Sequence, residues 1–440
     1  MKKPAEGNDS LPPRAHGPGQ EQITARIFMP DTLPTTLRAP LREVPFIRRG
    51  TAEFRRANLA FLCAGFATFA LLYCVQPLLP AFVADFRISP AASSLSLSLT
   101  TAVMAFCLLV AGALSDAWGR KPVMVVSVMA SAILTLACAL APGWELFLGL
   151  RLLLGIALSG LPAVAMAYIA EEMEPSASGF ALGLYISGTA AGGMAGRVLT
   201  GLLQDWGGWH WAMGSMGLLG LASAIIFWRA LPPSRHFSPR PLALDGLMAS
   251  FTLHLRDAGL RWLFLEAFLF MGSFVTLYNY IGFRLIAPPF SLGPGAVALV
   301  FTLYIVGIGA STLVGGLADR FGRRAMLWVM LLLMLAGLGL TLPPSLPSTV
   351  AGIAAMTFGF FGAHSLASSW VGRRAQSARA QASSLYLFAY YMGASLIGAA
   401  GGWAWARGGW GGIGWMLGGI LLVAFLVALR LSRLRPVGQA

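Results

Sequence analysis

The chain has 440 residues, 57% of them hydrophobic and only 11% charged, with a formal net charge of +14, whereas a soluble domain carries roughly 25% charged residues. That composition excludes an ordinary soluble enzyme or binding module and places the chain in a lipid bilayer. The basic excess is spread over many loops and forms no stripe interleaved with aromatics, which excludes a nucleic-acid interface.

In chain order, residues 1–56 are polar, rich in Pro, Gly and Arg, and contain no apolar run. They are expected to form a disordered cytoplasmic arm, and the missing apolar segment excludes a cleaved secretory signal. Crossing a hydrocarbon core of about 30 Å takes a helix of about 20 residues. Twelve apolar runs of that length follow, at 57–80, 92–114, 122–141, 145–169, 179–203, 209–230, 261–286, 295–317, 325–343, 348–370, 382–404 and 411–431. They are continuous and do not alternate apolar with polar, so they predict helices and not barrel strands.

The expected fold is therefore all-α, with two six-helix bundles over 57–230 and 261–431 and a short tail over 432–440. The connection over 231–260 begins LPPSRHFSPRP and then places Leu244, Leu247, Met248, Phe251 and Leu255 on one stripe, as a helix lying on the membrane surface would. With both termini in the cytoplasm, 26 of the 31 Lys and Arg residues fall on the cytoplasmic side, as short basic loops require. The net charge then reports topology and contact with anionic lipid. Cys63, Cys74, Cys107 and Cys138 all lie inside predicted spans without metal-ligand spacing and are expected to be packing residues. No metal or cofactor site is expected.

One stretch occurs twice. Residues 112–123 read GALSDAWGRKPV and residues 315–326 read GGLADRFGRRAM, each joining the second and third spans of its half. The glycines allow a sharp turn, the aspartate can sit against a helix N-terminus, and the basic cluster holds the loop in the cytoplasm. The pattern resembles the hallmark loop of the major facilitator superfamily, G-x-L-x-D-R-x-G-R-R/K. The first copy matches at Gly112, Leu114, Asp116, Gly119, Arg120 and Lys121, and the second at Gly315, Leu317, Asp319, Arg320, Gly322, Arg323 and Arg324. In that family the loop helps latch the outward-facing state. Ala117 stands where a basic residue is usual, so the resemblance implies a weaker latch in the first half than in the second, which keeps Arg320.

RLLLGIALSG in span 4 is similar to an antiporter segment at Arg151 and Gly155, and SGTAAGGMAGR in span 5 is similar to the glycine-rich antiporter segment with Thr189 in place of proline. Together with LYCVQPLLP, YNYIGF and GAHSLASSWVGRR, these segments look most like the YnfM-type branch of bacterial efflux permeases. The resemblance implies a drug:proton antiporter-like membrane protein of the bacterial inner membrane, not an enzyme, with a central site lined by spans 1, 4, 7 and 10.

Ionisable residues in mid-membrane are costly, about 2.5–3.5 kcal/mol on insertion scales, and so mark candidate sites. Glu266 lies about five residues into span 7 and His364 about seven from the inner end of span 10, so the two share the cytoplasmic third; Arg151 sits in the outer third. Glu266 shares a helical face with Ser273, Tyr280 and Arg284, and His364 with Thr357 and Ser368. The functional reading is a protonatable Glu266–His364 pair with Arg151 setting the potential of the cavity. The alternatives are a Glu266 that snorkels to the headgroups and a neutral His364 that hydrogen-bonds across helices.

Tyr73, Gln76, Pro77 and Pro80 fall on one face of span 1, and Tyr278, Asn279 and Gly282 look like a similar interruption in span 7. Phe66, Phe69, Phe360, Phe361, Tyr390 and Tyr391 are a candidate lining for an amphipathic substrate. Arg197 is expected to reach the outer headgroups, Glu145 and Asp205 to cap helix ends, and the glycines at 188, 192, 193, 196, 393, 398, 401 and 402 to make helices 5 and 11 sliding surfaces.

The function expected is proton-coupled efflux of a small amphipathic molecule by alternating access. Its partners would be that substrate, protons and the bilayer, and a monomer suffices. Helix 1 lacks the acidic residue that many such antiporters carry, which leaves uniport or substrate symport open. An intramembrane enzyme finds no serine elbow or HExxH in the chain and the absence of a P-loop removes a fused ATPase motor, and a receptor or scaffold that kept the fold without transport is the third class.

Overall fold

A computed structural model describes residues 45–239 and 244–433. Residues 1–44 of the expected arm, 240–243 of the connection and 434–440 of the tail lie outside the described residues.

The first span begins at Ala52, five residues before the expected start, because the Thr51 hydroxyl accepts from the Phe54 N–H at 3.1 Å and caps the helix. It runs as α1 (Ala52–Tyr73), a 3₁₀ turn (Gln76–Leu78) and α2 (Leu79–Phe86). The break follows from Pro77 and Pro80, which supply no N–H to the carbonyls before them. Then come α3 (Pro90–Trp118), α4 (Arg120–Ala139), α5 (Trp144–Glu172) and α6 (Pro175–Ala230). The connection carries α7 (Leu244–Arg256), where the apolar stripe predicts a surface helix. The second half consists of α8 (Ala258–Ile286), α9 (Pro294–Ala298), a 3₁₀ turn (Leu299–Leu303), α10 (Tyr304–Phe321), α11 (Arg323–Leu340), α12 (Leu346–Arg374) and α13 (Arg379–Arg433).

Ten of the described helical elements are long and apolar enough to cross a membrane, and two of them count twice. At about 1.5 Å per residue, the 56 residues of α6 would extend nearly twice the bilayer thickness. Gly207 and Gly208 break the helical backbone instead, Gly208 at φ +73°. The two arms then lie side by side, for Gly196 and Gly220 face Ala70 and Leu71 of α1. Gly408 and Gly409 break α13 in the same way. The result is twelve spans in two sets of six, the fold that the apolar run lengths predict.

Small residues weld each set together. A Cβ on Gly188 would stand 2.6 Å from the Leu62 carbonyl oxygen, one on Gly196 2.6 Å from the Ala70 Cα, and one on Gly393 2.7 Å from the Phe268 carbonyl carbon. Backbones that close cannot slide. Most of these glycines therefore pack α6 on α1 and α13 on α8, within a half, while the same two helices also face the other half, α6 at α9 and α13 at α3. Of their glycines, Gly201, Gly398 and Gly402 meet the other half, at Ala298, Ser98 and Ala91.

Those three contacts share one end of the bundle, with the turns near Arg87, 140–143, Gly207, 287–293, 341–345 and Gly408. The opposite end carries the turns at Gly119, Met173, 231–257, Gly322 and 375–378 and is called the basic face. The repeated loops lie there. Gly119 (φ +98°) and Gly322 (φ +84°) each end one helix and start the next, a backbone that only glycine adopts cheaply.

Asp116 pairs with Arg120 at 2.5 Å and Asp319 with Arg323 at 3.0 Å. Arg120 reaches on to Glu171 at 2.7 Å. Lys121 and Arg324 donate to the Leu231 and Ser432 carbonyls, so in both halves the last basic residue of the repeat ties its loop to the end of that half's sixth span. Arg320 is exposed over the Phe321 ring. Gly112 and Gly315 have open space around them. None of these residues bridges the halves among the described residues.

Candidate functional site

Arg151 is fully buried on α5. Its guanidinium donates to the carbonyls of Ser96 at 2.8 Å, Leu71 at 3.3 Å and Leu72 at 2.9 Å. The last two are the carbonyls left over where α1 ends before its prolines, so the arginine satisfies a helix terminus that would otherwise be orphaned. It ties α5 to α1 and α3 and does not line the cavity described next.

That cavity lies between the halves. It has a volume of about 420 Å³ and runs from Arg197 on α6 toward the basic face, past Ser187 and Ala190 on one side and Ile308 and Thr312 on the other. Of the residues expected to line it, Tyr73, His364, Tyr390 and Tyr391 do, as do Phe69, Phe360 and Phe361. Phe274 stacks on Phe360 at 3.7 Å between ring centroids, and His364 lies 4.8 Å from the Tyr390 ring.

Gln76, Ser273, Tyr278, Asn279, Tyr280, Thr357 and Ser368 are packed behind this surface. Tyr278 and Thr357 share a hydrogen bond at 2.8 Å, joining α8 to α12. The Ser273 and Ser368 hydroxyls fold back on the Leu269 and Ser365 carbonyls. Tyr280 packs on Trp405 and points its hydroxyl at the Gly398 carbonyl, 3.4 Å away. Arg284 is turned away, bonded to the Thr341, Leu342 and Pro343 carbonyls.

Glu266 and His364 are not hydrogen-bonded to each other. Glu266 is wholly buried, so it does not snorkel, and neither carboxylate oxygen has a hydrogen-bond partner among the described residues. His364 Nδ1 lies 2.9 Å from the Tyr386 hydroxyl. Tyr386 is also within electrostatic range of Glu266.

Arg197 corrects an expectation. It is 1% exposed and does not reach the headgroups. Its guanidinium lies 3.8 Å from the Tyr73 ring centroid, 4.6 Å from that of Tyr304 and 5.7 Å from that of Phe301. Nε donates to Gln76 Oε1 at 2.5 Å, and Nη1 donates to the Gly193 carbonyl. The Gln76 amide then donates to Asn279 Oδ1 at 2.7 Å, across to the other half. Beyond this chain the cavity is closed by Thr101 against Ser395 at 2.7 Å and by Asp205, which accepts from the Gly295 N–H at 3.0 Å and so caps α9 as an acidic helix-end residue should. Depth counting misplaced Arg197 because depth does not give the facing direction. The signal was present in the glycine stripe 188, 192, 196, which fixes the face against α1 and leaves Arg197 beside it.

The cavity between two matched six-span halves is the geometry of an alternating-access carrier. A family model for the Major Facilitator Superfamily matches residues 61–286 and 269–440. The chain belongs to that superfamily. It is 48% identical over 388 residues to the MFS-type transporter YybF of Bacillus subtilis (strain 168), covering 88% of this chain and 96% of that one. It is equally 48% identical over 388 residues to the inner membrane transport protein YnfM of Escherichia coli (strain K12), covering 88% and 93%. A solved bacterial homologue of the human lysosomal transporter Spinster, inward-facing and unoccupied, superposes with a TM-score of 0.72 over 87% of this chain and 97% of its own, at 18% identity. That likeness is one of fold alone. The protein is thus a multi-pass MFS membrane transporter of the YnfM type and not an enzyme.

Proposed function

We propose that this MFS transporter exports a small amphipathic molecule across the bacterial inner membrane in exchange for protons. The observation that carries the proposal is the cavity, bounded at one end by the Gln76–Asn279 bridge and extending from Arg197 in the direction of the basic face as far as Ser187, Thr312 and Leu387, with His364 in its wall and Glu266, which has no hydrogen-bond partner among the described residues, behind it. With the basic face in the cytoplasm, this is the state that loads from inside. An isolated carboxylate buried without a partner is far costlier than its neutral acid, so Glu266 carries a proton in this state and exchanges it through Tyr386 and His364 when the halves rearrange. Moving one charge across 100 mV is worth about 2.3 kcal/mol, enough to support a useful gradient.

The test is substrate-dependent proton release from reconstituted vesicles. The wild type should release protons, whereas Glu266→Gln and His364→Ala should lose the pH dependence. Wild-type pH dependence in both variants would remove the proton pair and leave a proton-independent carrier.

A further inference from the structure

Arg197 is the only Lys, Arg, Asp or Glu among the described residues that line the cavity. A guanidinium has five N–H donors; two are bonded to Gln76 and the Gly193 carbonyl and the Tyr73 side chain is within hydrogen-bonding reach, which leaves donors to spare. No carboxylate forms an ion pair with it among the described residues. Buried cations are ordinarily paired with an anion; here the faces of Tyr73 and Tyr304 serve in its place. The rest of the lining is mainly apolar or aromatic, with Phe69, Met271, Phe274, Phe360 and Phe361 along the path, and its other polar members are His364 and the hydroxyls of Ser187, Thr189, Ser311, Thr312 and the tyrosines.

We propose that the ligand of this cavity is an amphipathic organic monoanion, an aromatic or alkyl body bearing one carboxylate, whose charge is anchored by Arg197. The inference rests on the cavity being the transport site, as argued above, and adds the substrate class. One cation matches one negative charge; a dianion would bring an unpaired charge into an apolar space. An organic cation would meet Arg197 with no acid in the lining to receive it. A volume of about 420 Å³ is within the range of small-molecule sites.

The experiment measures binding of three probes to the purified full-length protein in detergent: 2-naphthoate, its carboxamide and 2-naphthylmethylamine. The wild type should bind naphthoate at least about tenfold tighter than the amide, a difference of about 1.4 kcal/mol, with the amine weakest. Arg197→Gln should erase the carboxylate preference while still binding the amide, which shows that the variant is folded, and Arg197→Lys should retain part of the preference. Equal or tighter binding of the amide by the wild type, no binding of naphthoate, or a carboxylate preference that survives in Arg197→Gln overturns the proposal. Vesicle assays keep the two ideas apart. Naphthoate movement without proton release removes proton-coupled export and leaves the anion site, whereas proton release driven by the neutral amide and not by naphthoate does the reverse.

Discussion

Replacing Asn279 by alanine should open the closed face of the transporter. In the wild type the Gln76 Nε2–Asn279 Oδ1 bond at 2.7 Å is buried and joins the two halves. The Asn279 Nδ2 atom is itself buried without a partner. The substitution therefore exchanges one unpaired amide nitrogen for another, that of Gln76, and the net loss is the bond alone, about 1 kcal/mol. Once the face opens, water reaches these groups and the substitution costs nothing there. The open-to-closed ratio at this face should rise about fivefold. Spin labels at Ala84→Cys and Ala287→Cys, both exposed and on opposite halves, report it when the four native cysteines are replaced. The longer of two distance populations should grow in Asn279→Ala. An unchanged distribution, or a shift toward the shorter distance, would refute the assignment of Gln76 and Asn279 as a bridge that holds the face shut.

Glu266→Gln keeps the shape of a group that has no hydrogen-bond partner to lose, so its melting temperature should not fall, while proton release on transport should vanish. Gly196→Ala puts a Cβ 2.6 Å from the Ala70 Cα, where ordinary contact begins near 3.4 Å, and should cost about 1–3 kcal/mol by overpacking. Gly179→Ala, with nothing within 4 Å, should be neutral or stabilising by up to about 1 kcal/mol; equal thermal stability of the two variants would contradict the seam. Asp257 caps α8 through the Leu260 N–H at 2.7 Å and receives Arg374 at 2.6 Å. Burial pushes its carboxyl up, but the Arg374 and backbone bonds together outweigh burial and hold it below its ordinary 3.8. Its contribution to stability is therefore complete above pH 3.8 and fades as the pH drops through the depressed value. Asp257→Asn should lower the melting temperature at neutral pH and flatten its fall in acid.

The twelve spans were legible because run length alone separates a membrane helix from other apolar segments, and the two repeated loops fixed how those spans pair. Where the spans double back was also legible, since Gly207–Gly208 and Gly408–Gly409 interrupt runs too long for one crossing. The site was legible only in part. Tyr73, His364, Tyr390 and Tyr391 line the cavity, whereas Gln76, Thr357 and Ser368, which the helical period puts on the faces of Tyr73 and His364, do not. Arg151 carries the cost of a buried cation, yet its partners are carbonyls freed by a break in another helix, and no spacing in its own segment announces that. That His364 bonds Tyr386 and not Glu266 is likewise a fact of packing between α8, α12 and α13, three segments whose relative rotation is not written in any one of them.

The glycine seams have a mechanical consequence. Where the backbones of α6 and α1 meet, there is no room for a single methyl group, and the same holds for α13 and α8. Each set of six spans must then travel as one lever, and the joints of the machine are the surfaces where α13 meets α3 and α6 meets α9, together with the connection between the sets. Stiffness inside the levers is what allows a small event at one arginine to be felt at the far surface.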